Sequence, residues 1–146
     1  MSAITKGVDP LLFLTARLGR LVASHIQNRL EEEDRDMIGP NMGILADLME
    51  KDGVRQQDLA MSSIKDKATI TRGIQALEQK ELVLRVDDPV DKRTKRIYIT
   101  QKGKRFFQRI SPVGKEVIDE ALQGVAAQDL HICLRVLRQM YDNLSK

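Results

Sequence analysis

Residues 54–103, VRQQDLAMSSIKDKATITRGIQALEQKELVLRVDDPVDKRTKRIYITQKG, are the stretch that decides the fold of this chain. In its first half, apolar residues recur at three- and four-residue steps, which is typical of short amphipathic helices, and a polar segment interrupts them. Its second half contains two β-prone runs on either side of a charged loop. The stretch therefore predicts two helices joined by a turn and followed by a β-hairpin, the arrangement called a winged helix-turn-helix.

The second helix of this motif has two faces of different chemistry. We predict the helices over residues 55–61 and 66–80, with a turn at residues 62–64 and Asp66 as an N-cap. At about 100° per residue, one face carries the apolar stripe Ile70, Ile74 and Leu77. The opposite face carries small, hydroxyl, amide and guanidinium side chains: Ala68, Thr69, Arg72, Gln75, Ala76 and Gln79. Such side chains can pair with base edges in a major groove, although an ordinary solvent-facing helix can have the same composition.

The predicted hairpin favours DNA binding over simple solvent exposure as the interpretation of this helix face. Its strands are predicted at residues 82–86 and 96–100, and Asp88-Pro89 favours a turn between them. The arm presents four cations: Lys92, Arg93, Lys95 and Arg96. Such an arm could lie along the DNA backbone and reach a minor groove, whose negative potential attracts arginine.

The charge distribution agrees with this interpretation. The chain has 146 residues, enough for one domain with its own core, and its 42% hydrophobic and 31% charged residues are typical of a soluble, ordered protein. Residues 65–109 contain thirteen Lys or Arg against six Asp or Glu, a net of +7, whereas the whole chain carries only +3. Positive charge is therefore concentrated on the expected DNA-reading segment.

Helices are predicted on both sides of the motif. The first covers residues 9–32, with Asp9 as N-cap and the acidic run at residues 31–34 as a solvated terminus that keeps this area off DNA. The next covers residues 42–49 and stops at Asp52-Gly53. After a possible N-cap at Thr100, a long helix follows that Pro112 should kink, then a break at Gly124 and a last helix over residues 126–144.

These motifs together resemble the MarR family of bacterial winged-helix regulators. The resemblance is carried by DLAMSSIKDKATITRGIQALEQKELVLRVDDPVDKRTKRIYITQKG, and most specifically by Asp88-Pro-Val-Asp-Lys-Arg93 followed by Thr100-Gln-Lys-Gly103. It implies a single unit over residues 1–146, with a DNA-binding part at 40–103 and dimerisation helices at 9–33 and 104–145. The implied assembly is a homodimer on a palindromic operator of double-stranded DNA, and the long apolar stripes at both ends of the chain independently favour dimerisation.

The resemblance also implies roles for individual residues. Base edges would be read by Ala68, Thr69, Arg72 and Gln75. Phosphates would be contacted by Lys67, Thr71, Arg55, Gln56, Ser62 and Ser63. In the wing, Asp91 would orient Arg93, and Lys92 or Arg93 would enter the minor groove beside Lys95 and Arg96. The chain departs from the family at Glu81, where many members have glycine, and Gly73 inside a helix suggests close packing.

Other kinds of site find less support. Cys133 lies on the apolar stripe of the last helix, where we expect a buried structural thiol, and His25 is expected to border the dimer interface. We expect neither catalysis nor a metal or other cofactor, because the residue combinations that these need do not occur. A small lipophilic or aromatic effector remains an expected partner, without assigned residues. No apolar run reaches the length of a membrane span and no signal pattern is present, so we expect a cytoplasmic protein.

The sequence therefore predicts a mainly α fold with a small β-hairpin wing, and a sequence-specific DNA-binding regulator that acts as a repressor. The alternative is a winged-helix module for protein-protein assembly, in which the basic wing contacts an acidic partner.

Overall fold

The computed structural model describes residues 7–37, 40–62 and 67–145. In chain order these form α1 (Pro10–Asn28), α2 (Glu32–Arg35), α3 (Pro40–Glu50), β1 (Val54–Arg55), α4 (Gln56–Ser62), α5 (Lys67–Gln79), β2 (Val83–Asp87), β3 (Lys95–Ile99), α6 (Gln101–Ala121) and α7 (Ala127–Leu144). The predicted fold class, mainly helical with a small β wing, is confirmed. Within the described residues, no helix is both long and apolar enough to cross a membrane.

The sheet has three antiparallel strands in the order β1-β3-β2. The hairpin pairs Leu84 with Tyr98, and its strands differ from the predicted ranges by one residue. The edge strand β1, in which Val54 pairs with Ile97, was not predicted. Two residues are too few to give a periodic pattern, so only the paired partner reveals the strand.

The core lies where α3, α4, α5 and the sheet meet, with α6 packed along one side. Its fully buried side chains are Leu45, Leu48, Leu59, Ile70, Ile74, Leu77, Val83 and Ile97. The predicted stripe of α5 is thus confirmed as buried. Close packing at Gly73 is confirmed as well, because a Cβ there would lie 2.8 Å from Asn41 Oδ1 and 3.1 Å from Ile44 Cδ1. This packing fixes α5 against α3 and leaves its opposite face towards solvent.

The end of α1 differs from the prediction. Asp9 is the N-cap as expected, since its carboxylate accepts the Leu11 N–H at 2.9 Å, but the helix ends at Asn28 rather than at residue 32. Leu30 is 7% exposed and packs into the core, so the chain has to leave the helical path before it. The acidic run then contributes to the separate short helix α2, where Asp34 binds Arg109 at 3.0 Å.

The two C-terminal helices begin as predicted but expose more than expected. Thr100 is the N-cap of α6, since its hydroxyl accepts the Gly103 N–H at 2.9 Å, and the helix continues through Pro112. Gly124 makes the turn to α7 with φ +81°. The expectation of a buried thiol is wrong for the single chain, because Cys133 is exposed. The reason is that α7 has no buried residue, so its apolar stripe is not covered by the rest of this chain.

Glu81 closes α5 in a left-handed conformation with φ +61°, which is the departure from the family noted above. The Leu82 N–H donates to Leu77 O at 2.9 Å and the Glu81 N–H to Glu78 O at 2.9 Å. These two bonds form a Schellman motif, the helix ending that glycine favours. The Thr100 hydroxyl also donates to Glu81 O at 2.7 Å, so the end of α5 and the start of α6 are joined here. These hydrogen bonds therefore maintain the left-handed turn even though Glu81 carries a side chain.

Replacing Glu81 by glycine is expected to raise the free energy of unfolding by about 1 kcal/mol, because a side chain costs roughly that much in the left-handed region. Urea denaturation at fixed protein concentration measures the change. The control is Gln75→Gly at an exposed position inside α5, which should lower stability by about 1 kcal/mol. If both glycines destabilise, the left-handed geometry at Glu81 is wrong.

Candidate nucleic-acid interface

The outward face of α5 carries the side chains predicted to read bases. Ala68, Arg72 and Gln75 are exposed, and Thr69 is partly exposed. The Arg72 guanidinium donates to Thr69 Oγ1 at 3.3 Å, which holds the arginine along the helix surface. Ala76, which the sequence also put on this face, is partly buried and packs against the core. The solvent-exposed face of α5 that could contact bases is therefore narrower than predicted.

Two residues predicted to contact phosphates, one in β1 and one in α4, form hydrogen bonds with neighbouring side chains. The Gln56 side chain donates to Thr71 Oγ1 at 3.2 Å, which fastens α4 to α5. Arg55 Nε, at the end of β1, donates at 3.1 Å to Oδ2 of Asp58 in the first turn of α4. Ser62 is the last residue of α4, and Ser63 lies outside the described residues together with most of the predicted turn. The role of both serines stays a prediction.

The tip of the wing is built by two aspartates. Asp88 Oδ1 accepts the N–H groups of Val90 at 2.8 Å and Asp91 at 3.1 Å. Asp91 Oδ1 in turn accepts both the backbone N–H of Arg93 at 3.1 Å and its Nε at 3.2 Å. The predicted Asp91–Arg93 contact is thus present, with the Arg93 side chain 92% exposed. Arg93 is therefore held at its Nε by Asp91 while its side chain stays accessible to a ligand in solvent.

The structure shows that Arg96 binds within the protein. Its Nε donates to Asp88 Oδ2 at 2.6 Å, and its Nη1 donates to Gly53 O at 2.8 Å. These two bonds tie the wing to the turn before β1, so Arg96 stabilises the wing, and its contact with DNA stays a prediction. Lys95 pairs with Asp87 across the hairpin, whereas Lys92 is exposed.

A cleft of about 290 Å³ separates α5 from the wing. Three predicted cations border it: Lys67, Arg93 and Lys95. Thr71 and Gln56, which were predicted to contact phosphates, also line this cleft, as do Gln57 and Thr94, which were not predicted as site residues. Gln57 was missed because the family resemblance assigned only Arg55 and Gln56 in this segment. Thr94 was missed because the wing residues were chosen by charge and threonine is uncharged. The arrangement presents positive charge and hydroxyl groups beside a helix that can enter a groove.

The electrostatics of the wing depend on Asp88, which is buried. Hydrogen bonds from the backbone N–H groups of Val90 and Asp91, together with the hydrogen bond from Arg96, lower the pKa of Asp88 to about 2 against the opposing effect of burial. The carboxylate is therefore charged whenever the protein is folded near neutral pH.

We expect this carboxylate to make the wing sensitive to acid. Its pKa is about 2 in the fold against an ordinary 3.8, so its contribution to stability is complete above about pH 4 and is lost as the pH falls towards 2. Asp88→Asn should therefore destabilise the protein at pH 6, and the difference from wild type should shrink between pH 4 and 2. Urea denaturation across this range measures it. The control is Asp87→Asn, at the exposed pair, and an equal pH-dependent difference there would contradict the prediction.

The described residues contain no group of three or more His, Cys, Asp or Glu side chains placed to hold a metal ion.

Comparison with known proteins gives matches over the same region and over the whole fold. The model of the MarR family matches residues 40–95. The chain is 26% identical to the transcriptional regulator HosA of Escherichia coli O111:H- over 112 residues, covering 77% of this chain and 83% of HosA. It is 31% identical to the HTH-type transcriptional regulator YxaD of Bacillus subtilis (strain 168) over 97 residues, covering 66% of this chain and 68% of YxaD.

Among solved structures, the fold is similar to that of the PcaV transcriptional regulator from Streptomyces coelicolor in complex with its natural ligand. The TM-score is 0.82 at 22% sequence identity, and the match covers 97% of this chain and 98% of PcaV. At this identity the likeness concerns the fold, and the match extends beyond the wing and α5 to almost the whole chain.

Proposed function

The chain belongs to the MarR family of transcriptional regulators, and we propose that it acts as a homodimeric repressor that occludes a promoter at a palindromic operator. The observation that carries the proposal is the basic cleft between α5 and the wing, which Lys67 and Thr71 of α5 and Arg93 and Lys95 of the wing line together. In the proposed complex, Thr69, Arg72 and Gln75 on the outward face of α5 read bases in the major groove, and Arg93 enters the adjacent minor groove. The proposed DNA-binding part spans residues 40–103.

Dimerisation is supported by two helices, α1 and α7, whose apolar side chains remain largely exposed to solvent in the single chain. Neither α1 nor α7 contains a buried residue, although both are amphipathic. Their exposed large apolar side chains include Leu11, Leu14, Leu18 and Leu21 on α1, and Leu134, Leu137 and Tyr141 on α7. Exposed apolar surface of this extent marks an interface. A second copy of the chain would cover it, bury Cys133 and His25, and set the spacing of two α5 helices on successive major grooves.

An apolar cleft supports control by a small ligand. It has a volume of about 310 Å³, lies between α1, α6 and the start of α3, and is lined by Val22, Ile26, Met42, Ile110 and Gly114 among others. This volume suits a small aromatic or lipophilic molecule. PcaV has been solved in complex with its natural ligand, which gives a precedent in a protein of the same fold. A ligand wedged between α1 and α6 would change the angle at which α5 is presented.

Titrating the protein onto its own upstream DNA tests the proposal. A dimer is expected to bind one palindrome, to protect two half-sites from cleavage, and to lose affinity steeply with added salt as phosphate contacts release counterions. In a panel of aromatic carboxylates, we expect at least one compound to cause the protein to dissociate from the DNA. Absence of sequence-selective binding even at low salt would contradict the proposal and favour the assembly module, which the family matches do not support.

A further inference from the structure

A second basic cleft lies away from the wing, at the opposite end of α5. This cleft, which we call the rear cleft, has a volume of about 340 Å³. Four cations border it: Lys80, Lys102, Arg105 and Arg109. Lys80 follows the end of α5, and the other three project from the first turns of α6. Two separate elements thus bring positive charge to one concave surface. The helix dipole adds to it, because α6 begins here with its positive end.

Two of the four cations are held in place by the protein. Arg109 Nη2 donates to both carboxylate oxygens of Asp34, at 3.0 and 3.1 Å, and its guanidinium lies 5.3 Å from the centre of the Phe106 ring. Lys80 Nζ donates to the backbone oxygen of Glu33 at 3.0 Å. That acceptor is neutral, so the contact orients the ammonium group without cancelling its charge.

The other two cations keep most of their binding capacity. Among the described residues, none forms a hydrogen bond or an ion pair with the Arg105 side chain, which is exposed. Lys102 is 3.9 Å from Glu81, whose side chain is 83% exposed, and such an exposed pair is weak. Four cations against the two acids that line the rear cleft leave a net charge of +2. The rear cleft is therefore an oriented cluster of donors with unsatisfied positive charge.

We propose that the rear cleft binds a small phosphate-bearing anion, either inorganic phosphate or a phosphorylated metabolite. Guanidinium and ammonium groups match the oxygens of a phosphate in charge and donor geometry. The base of the rear cleft contains Leu82 and Phe106, both buried, which would contact a short organic body. The volume admits a molecule of the size of a sugar phosphate but not a chain of nucleotides.

The two acidic residues favour a small anion over the DNA backbone. Glu33 and Asp34 line the same rear cleft, and their carboxylates would repel a phosphodiester chain running across it. A single phosphate can instead sit among the cations on the α6 side. Such a ligand would bridge the end of α5 and the start of α6, so it would stiffen the support of the base-reading helix.

Calorimetric titration of the 146-residue protein without DNA tests the proposal. Inorganic phosphate and ribose 5-phosphate are added at constant ionic strength, with chloride as the reference anion. We expect saturable binding of one phosphate group per protomer with a dissociation constant below ~1 mM. Similar affinities for the two probes would identify inorganic phosphate as the ligand, whereas a clear preference for ribose 5-phosphate would identify a phosphorylated metabolite.

The variants Arg105→Ala and Lys102→Ala separate the rear cleft from general positive charge. Each removes an exposed side chain and is expected to weaken phosphate binding by about tenfold or more, since hydrogen bonds to charged groups are strong. Lys115→Ala, further along α6, removes the same charge outside the rear cleft and should bind phosphate as wild type does. The proposal is overturned if phosphate does not bind, if Lys115→Ala loses binding equally, or if Arg105→Ala weakens operator binding while phosphate binding is unchanged. The last result would assign the rear cleft to DNA.

Discussion

Replacing Gly103 by alanine is expected to lower the free energy of unfolding by about 3 kcal/mol or more. A Cβ at this position would lie 2.1 Å from Leu82 O and 2.8 Å from Ile99 Cγ1. The Leu82 carbonyl cannot retreat freely, because it accepts the Thr100 N–H at 3.0 Å. The start of α6 would have to move off the sheet, which loses this bond and the packing around it. Chemical denaturation at fixed protein concentration measures the loss.

Gly43→Ala is the matched control for Gly103→Ala. Gly43 lies within α3, and a Cβ there would have nothing within 4 Å. Alanine is expected to stabilise the helix at this position by about 0.5 to 1 kcal/mol, because glycine is the poorer helix former. Equal stability of Gly103→Ala and the wild type would show that α6 does not approach β2 as closely as described.

Replacing Leu137 by glutamate is expected to abolish dimerisation and to weaken operator binding by about 10²-fold or more. Leu137 is 40% exposed on the apolar stripe of α7, where the proposed dimer would bury a carboxylate without a partner. A monomer can engage only one half-site, so the gain from linking two binding units is lost. Sedimentation at micromolar concentration gives the oligomeric state, and fluorescence anisotropy gives the affinity.

Gln139→Glu serves as the control on the opposite face of α7. This side chain bonds Asn143 at 2.9 Å along the helix, and the substitution introduces the same charge outside the stripe. The variant should remain dimeric and should bind DNA as wild type does. A Leu137→Glu protein that sediments as a stable dimer would refute the assignment of α7 to the interface.

The sequence predicted the winged fold well because its signals are local. Asp9 and Thr100 cap their helices by short-range hydrogen bonds, and Ile70, Ile74 and Leu77 share a face because of helical geometry alone. These features depend on residues a few positions apart. They can be recognised without knowing what packs against them.

The differences arose where distant parts of the chain decide the outcome. Arg96 was predicted to contact DNA because it lies in a basic run, and the sequence does not show that Asp88 and the Gly53 carbonyl accept hydrogen bonds from its guanidinium. The end of α1 was placed too late because only the core reveals that Leu30 is buried. Cys133 was expected to be buried because an apolar stripe indicates a contact, although the pattern does not tell whether the partner is in the same chain.

Reading of the operator sequence by the outward face of α5 is tested most directly by one ratio of affinities, that for the operator over that for unrelated DNA. Wild type, Arg72→Ala and Lys115→Ala are titrated by fluorescence anisotropy onto the upstream DNA and onto a scrambled fragment at the same salt concentration. We predict that Arg72→Ala loses about 1 to 3 kcal/mol of discrimination per half-site while its affinity for scrambled DNA changes little. Lys115→Ala should keep the wild-type ratio. An unchanged ratio for Arg72→Ala, with specific binding intact, would contradict the claim.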